Sequence, residues 1–322
     1  MASLPSTYKA WQIVNSGQPM VLKELPLKQP GAVPSGEFLS FKDLVPGHET
    51  VGDVVAVGEG VTRFKGGERV GGPWHGGHDG TCRTCQRGQF QHCENQVING
   101  LTKDGGFAQY VILREEAAVR IPREIDPAEV APLLCAGVTV FNGIRNMEII
   151  PGGIVAVLGV GGLGHLAVQY ASKMGYRTIA LSSGDSKRAF SSELGAHEYI
   201  DTKAENAVQR LQALGGADMI VATAPNPKLI SEMVAGLAPR GKLLVVAASG
   251  AAEVNLSQII TAGTSVQGWA TGHALDSEEA IDFAQRHGVK AMVEKFSFDK
   301  MQDAMDHMVS GKARFRAVLS MV

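Results

Sequence analysis

The first 47 residues contain neither cysteine nor histidine, and the whole chain of 322 residues has only four cysteines. That is no disulfide framework. In a reducing compartment such cysteines are metal ligands or buried thiols. The N-terminal stretch "MASLPSTYKAWQ" lacks the basic and apolar regions of a secretion signal. The longest apolar runs, such as "IVAVLGVGGLG", are broken by glycine and fall short of the ~18–20 residues of a membrane span. Charge of one sign is also missing. Thirty Lys and Arg stand against 32 Asp and Glu, for a net charge of −2. That balance gives no reason to expect nucleic acid or a membrane as partner. Together these absences predict a cytoplasmic location.

What is present is ordinary globular material. Hydrophobic residues make up 44% and charged residues 19%, and the length suits two domains. Residues 1–125 are rich in glycine and short apolar runs. "TVGDVVAVGEGV", "RVGGPW" and "FAQYVILREEAAVRI" read as strands separated by turns. After Asp126 the pattern changes. "IVAVLG" reads as a buried strand, and "GHLAVQYASKMG" has helical spacing that stops at Gly175. "RTIALS", "DMIVATA", "GKLLVVAA" and "SVQGWAT" continue as strands with helical segments between them. Such alternation gives a parallel sheet covered by helices on both faces. From about Asp282 the chain leaves that series. "KMQDAMDHMVSG" reads as a helix whose Met301, Ala304, Met305 and Met308 face the core, and "RFRAVLSMV" as a closing strand. The fold class is α/β, with a mostly β first domain.

The turn Gly159-Val160-Gly161-Gly162-Leu163-Gly164 follows an apolar strand and opens a helix. In that context glycines permit a tight turn and close approach of a pyrophosphate to the helix N-terminus. The second strand ends at Ser182, where a carboxylate would bind the ribose 2′-hydroxyl of NAD. Ser183, Lys187 and Arg188 follow and can donate to a 2′-phosphate. The expected cofactor is NADP in preference to NAD, although Asp185 in the same turn blurs that signal and a solvated basic helix start is the alternative.

Asp79, Cys82, Cys85 and Cys93 have the spacing of a closed tetrahedral zinc site, with the Asp79 carboxylate as fourth ligand. His78 competes with Asp79 for that role, and His92 is less well placed. A closed site of this kind is structural. Gly47-His48-Glu49 and Cys135, in "PLLCAGVTVF", hold residues suited to a catalytic zinc. Alone, His48 also fits a turn and Cys135 a small core side chain.

These motifs together resemble the zinc-dependent alcohol dehydrogenases of the medium-chain dehydrogenase/reductase family, over almost the whole chain. The closest flavour is the NADP-preferring cinnamyl-alcohol-type and fungal enzymes. "GHETVGDVVAVGEGV" fits the family's zinc signature, with Gly52, Gly58 and Val61 at the expected spacing. The resemblance implies a GroES-like domain over 1–140 and 285–322 and a Rossmann domain over 141–284. It carries His48 and Cys135 over as catalytic zinc ligands, with Glu49 beside them, and places Thr139 near the nicotinamide. It also implies a structural zinc at Asp79, Cys82, Cys85 and Cys93, a small alcohol or aldehyde as substrate, and a dimer or tetramer, the homodimer preferred, paired near Trp269 in "SVQGWATG". Trp74 fits either a pocket wall or a buried structural tryptophan.

The chain departs from the family at one place. Members have two strands and a Cys-x-His-Ser/Thr-Asp motif before the "GHE" signature, supplying the first catalytic zinc ligand and the start of a proton relay. Here "LKQPGAVPSG" runs straight into "EFLSFKDLVPGHE". Two strands with their turns need roughly twenty residues or more. Their loss leaves His48, Cys135 and Glu49 as the remaining ligand candidates. It should also open an edge of the β domain. Two alternatives follow: a reductase of activated double bonds that works without catalytic zinc, and a cofactor-binding protein without activity.

Overall fold

The computed structural model describes residues 4–15, 17–29, 43–247 and 250–321. The junction expected near residues 35–40 therefore lies outside the described residues. The chain divides into two compact units. The first comprises Met1–Val138, Thr271–Asp282 and Ala291–Val322, the second Thr139–Ala270 and Phe283–Lys290. The division falls between Val138 and Thr139, twelve residues beyond Asp126, after which the sequence pattern changes. The return to the first unit is made twice, because one helix, Ala274–His287, supplies residues to both.

The second unit is built on six parallel strands: β1 (Ile154–Leu158), β2 (Arg177–Ser182), β3 (Glu198–Asp201), β4 (Ala217–Ala222), β5 (Leu237–Val245) and β6 (Ser265–Gly268). Their order is β3-β2-β1-β4-β5-β6, the doubly wound arrangement of a dinucleotide-binding fold. Strands β1, β2 and β4 are buried along nearly their whole length, as parallel strands covered on both faces must be. Helix α1 (Gly164–Lys173) is buried from Gly164 through Ala171. Ile179, Leu181, Ile200, Leu211, Ile220 and Leu243 belong to one apolar cluster of this unit.

The first unit is mostly irregular chain around small sheets. Thr7–Gln12 pairs antiparallel with Val21–Pro26. Thr50–Asp53, Arg69–Gly72 and Val119–Arg120 form a three-stranded sheet. Val293–Ser297 and Arg316–Ser320 pair in parallel on either side of the helix Met301–Val309. The expected strand in "FAQYVILREEAAVRI" is regular only at Val119–Arg120. Its first part instead joins the N-terminal strand through isolated bonds, Trp11 N–H to Phe107 O and Gln109 N–H to Lys9 O. Met301 and Ala304 are buried as expected, but Met308 is 49% exposed. The helix ends at Val309, so the apolar stripe runs past the surface it covers.

Among the described residues, Thr50–Asp53 pairs on one side only, and Val55, Val57 and Ile112 are exposed. No single helix there is long and apolar enough to cross a membrane. The bent pair Pro127–Leu134 and Ala136–Arg145 reaches that length only together, and most of its residues are buried in the protein.

Candidate metal and cofactor sites

The cysteine lobe starts from a short turn of helix at Arg83–Gln86. Asp79 organises it. Its Oδ1 accepts from the backbone N–H groups of Thr81 (2.8 Å) and Cys82 (2.9 Å), and its Oδ2 accepts from Asn95 Nδ2 (2.7 Å). These bonds, led by that from Cys82, hold the carboxyl well below the usual range, so it is ionised. One ligand atom from each of Asp79, Cys82, Cys85 and Cys93 lies within 4.8 Å of all the others. Cys82 Sγ and Cys93 Sγ are 3.8 Å apart. Zinc–sulfur bonds of about 2.3 Å in a tetrahedron put two sulfurs roughly 3.8 Å apart. The lobe therefore fits a zinc ion. The Thr84 hydroxyl pulls the Cys82 thiol down, while burial pushes the Cys85 thiol up. A bound cation would take the remaining protons from such a set. His78 is not among the converging groups, and its ring stacks on Phe90 with centroids 4.2 Å apart. His92 is exposed.

The second candidate centres on Gly47-His48-Glu49. Gly47 has φ +104°, and a Cβ there would lie 2.8 Å from the Phe107 ring and 2.9 Å from its backbone nitrogen. Only glycine lets the chain turn this close to the loop at 105–107. The His48 ring meets Trp74 edge-on, with centroids 4.7 Å apart, and burial lowers its pKa. A neutral imidazole is the ligand form. Glu49 Oε2 pairs with the Arg316 guanidinium, and its Oε1 accepts from Ala136 N–H at 3.2 Å. Cys135 is half-buried just before the helix Ala136–Arg145, and Thr139 is buried within that helix. Among the described residues, His48, Glu49 and Cys135 do not come together as a three-ligand group. Two good donors remain, and the Glu49 carboxylate is already engaged. These residues do not fit a complete catalytic zinc centre, which takes three protein ligands.

The cofactor candidate lies where β1 passes into α1. Gly159 has φ +95°, and a Cβ on Gly164 would fall 1.8 Å from Gly159 O. The turn is therefore closed to side chains at both ends, while a Cβ on Gly161 would meet nothing within 4 Å. Gly162 and Leu163 complete it, Leu163 preceding the helix. The Thr223 hydroxyl lies 2.8 Å from Gly159 O and 2.9 Å from Leu158 O, so it braces the strand end. Ser182 is buried at the last position of β2, and Ser183 beyond it is exposed. Lys187 Nζ donates to Val160 O in the glycine turn at 2.7 Å. Arg188 pairs with Asp185 and lies over the Tyr199 ring.

Two family models match the chain: an alcohol dehydrogenase GroES-like domain over residues 25–123 and a zinc-binding dehydrogenase over residues 162–286. Alcohol dehydrogenase patD of Penicillium expansum is 48% identical, with 99% of each chain covered. This chain belongs to the alcohol dehydrogenases of the medium-chain dehydrogenase/reductase family. Aldehyde reductase AdhA of Synechocystis sp. is 38% identical over 88% of this chain and 84% of its own. Among solved structures, a cinnamyl alcohol dehydrogenase from Sorghum bicolor superposes with a TM-score of 0.86 at 29% identity, covering 97% of each chain. The alignment to patD runs over 338 positions, against 322 residues in this alcohol dehydrogenase. The relative thus holds residues with no counterpart here.

Sequence reasoning missed Arg316, Thr223 and Tyr199. Arg316 lies 267 residues from Glu49, and no local pattern announces the pair. Thr223 directly follows β4, and residues just past the carboxyl ends of parallel strands are where such folds bind ligands. That rule was available.

Proposed function

We propose that this chain transfers hydride between NADP(H) and a primary alcohol or aldehyde. The carrying observation is the glycine turn Gly159–Gly164 with Ser182, not an acid, closing β2, in an alcohol dehydrogenase that keeps His48 and Cys135. The turn receives the pyrophosphate at the start of α1. Ser182, Ser183 and the basic residues after them receive the 2′-phosphate. His48 and Cys135 are two of the three protein ligands a catalytic zinc takes, and a zinc held there with a third ligand would supply a Lewis acid for the substrate oxygen. Glu49 acts through Arg316 and the Ala136 N–H to fix the chain beside His48. Thr139 packs at the nicotinamide. With the strand pair absent, this centre lacks a ligand and its proton relay, so turnover is slow. Asp79, Cys82, Cys85 and Cys93 hold the structural zinc. The enzyme works in the cytosol as a homodimer. The fully exposed edge strand β6, with Val266 at 42% exposure, is the pairing edge.

The test is oxidation of NADPH by an aromatic aldehyde, run against NADH. Changing Ser182 to Asp should move preference toward NADH. Two like charges 4 Å apart cost about 1 kcal/mol in water and about 4 kcal/mol at an effective dielectric of 20. The ratio of NADPH to NADH affinities should therefore fall roughly tenfold or more. Equal affinities of the parent for both cofactors would count against the NADP reading.

A further inference from the structure

The turn after β2 holds two cations and one anion. Lys187 Nζ donates to Val160 O at 2.7 Å, so it reaches across to the glycine turn itself. Arg188 is held at three points. Its Nε donates to Asp185 Oδ1 at 2.5 Å, its Nη1 donates to Tyr199 O at 3.2 Å, and its guanidinium lies 4.8 Å over the Tyr199 ring. The turn beneath is pinned in the same way. Tyr199 donates through its hydroxyl to Gly184 O, and Asp201 Oδ1 accepts from Gly184 N–H at 2.7 Å. Gly184 itself sits at φ +79°. The guanidinium thus lies over Tyr199, and its charge is met by Asp185 from the same turn and, less directly, by Asp201 at the end of β3.

We propose that Asp185 sets how far this enzyme favours a 2′-phosphorylated cofactor, by occupying Arg188 and repelling the phosphate. This rests on the 2′-phosphate binding at Ser182 and Ser183. A phosphate arriving there meets a cation already engaged and an anion two residues on. Replacing Asp185 by Asn leaves Arg188 packed on Tyr199 and removes the negative charge that matches the guanidinium and repels the phosphate. Both side chains are largely open to water, Asp185 at 71% and Arg188 at 48% exposure, so the exchange removes no core contact.

The experiment measures dissociation constants of NADPH and NADH by fluorescence titration for the parent, Asp185→Asn, Arg188→Met and the double variant. The probes 2′,5′-ADP and 5′-AMP isolate the adenosine half. Asp185→Asn should tighten NADPH and 2′,5′-ADP by about three- to tenfold. NADH and 5′-AMP should change less than about twofold. The gain should shrink at 1 M salt, where exposed charges are screened beyond about 3 Å, and should vanish in the Arg188→Met background. An unchanged NADPH/NADH ratio in Asp185→Asn, or a gain that persists without Arg188, overturns the proposal. The variant-to-parent ratio decides this whichever cofactor the parent prefers. A parent that favours NADH would sink the NADP reading by itself.

Discussion

Inserting a strand pair with a Cys-x-His-Ser/Thr-Asp motif between Gly36 and Glu37 should raise aldehyde turnover by two orders of magnitude or more, with little change in NADPH affinity. The two halves of that expectation come from different parts of the chain. The glycine turn, β2 and Thr223 lie far along the sequence from the insertion and keep every residue that would touch the cofactor. The His48 site does not: among the described residues it offers His48 and Cys135, while Glu49 is held by Arg316 and the Ala136 N–H. The inserted cysteine adds a third ligand. The inserted hydroxyl and carboxylate add a route for the alcohol proton, and general acid–base assistance alone is worth roughly 10²–10⁴-fold. Single-turnover rates with NADPH and an aromatic aldehyde, with NADPH binding measured in parallel, check both halves. If the parent already works as fast as the restored chain, the assignment of His48 and Cys135 is wrong.

Changing Cys85 to Ala should remove one zinc per chain and lower the melting temperature by about 5–10 °C. Cys85 is one of the two buried members of the lobe, with Cys93, and its loss leaves two thiolates and a carboxylate. A metal present at 100 times its dissociation constant stabilises by about 2.7 kcal/mol. In a domain of this size each kcal/mol moves the melting temperature by about 2–4 °C. Metal analysis of the purified protein and a thermal melt give the two readouts. The companion change Asp79→Cys should slow zinc release to a chelator, since a fourth thiolate replaces a carboxylate. Unchanged metal content in Cys85→Ala would remove the lobe as a zinc site.

How much of this could be read from the sequence depended on the range of the interaction. Five of the six parallel strands were legible as short runs set between turns and helices, whereas β3 was not, because Glu198–Asp201 is four residues long and half of them are charged. The glycine turn announced itself because only glycine tolerates φ +95° at residue 159 and the backbone contact at 164. Asp79 and the three cysteines lie in one loop, so spacing alone predicted that their ligand atoms would converge. The engagement of Glu49 could not be foreseen, because its partner is an arginine on the far side of the other unit's sequence. Met308 misled because helical period marks a face and not the length of surface available to cover it. The segment at 107–113 misled because it has the composition of a strand but meets its neighbours through scattered bonds, to Lys9, Trp11 and Pro46, and not through a continuous ladder.

The Glu49–Arg316 pair also fixes an order of events on the ribosome. The strands of the second unit follow one another from residue 154 to residue 268 and can close as they are made. The first unit cannot, because Val293–Ser297 and Arg316–Ser320 belong to it. At roughly 5–20 residues per second, about 10–50 s separate the synthesis of Glu49 from that of Arg316. Through that interval the carboxylate beside His48 has no guanidinium to hold it, and Val293–Ser297 has no Arg316–Ser320 to pair with. Chaperone capacity and translation speed in the host therefore bear on the yield of this enzyme more heavily than the stability of its finished fold would suggest.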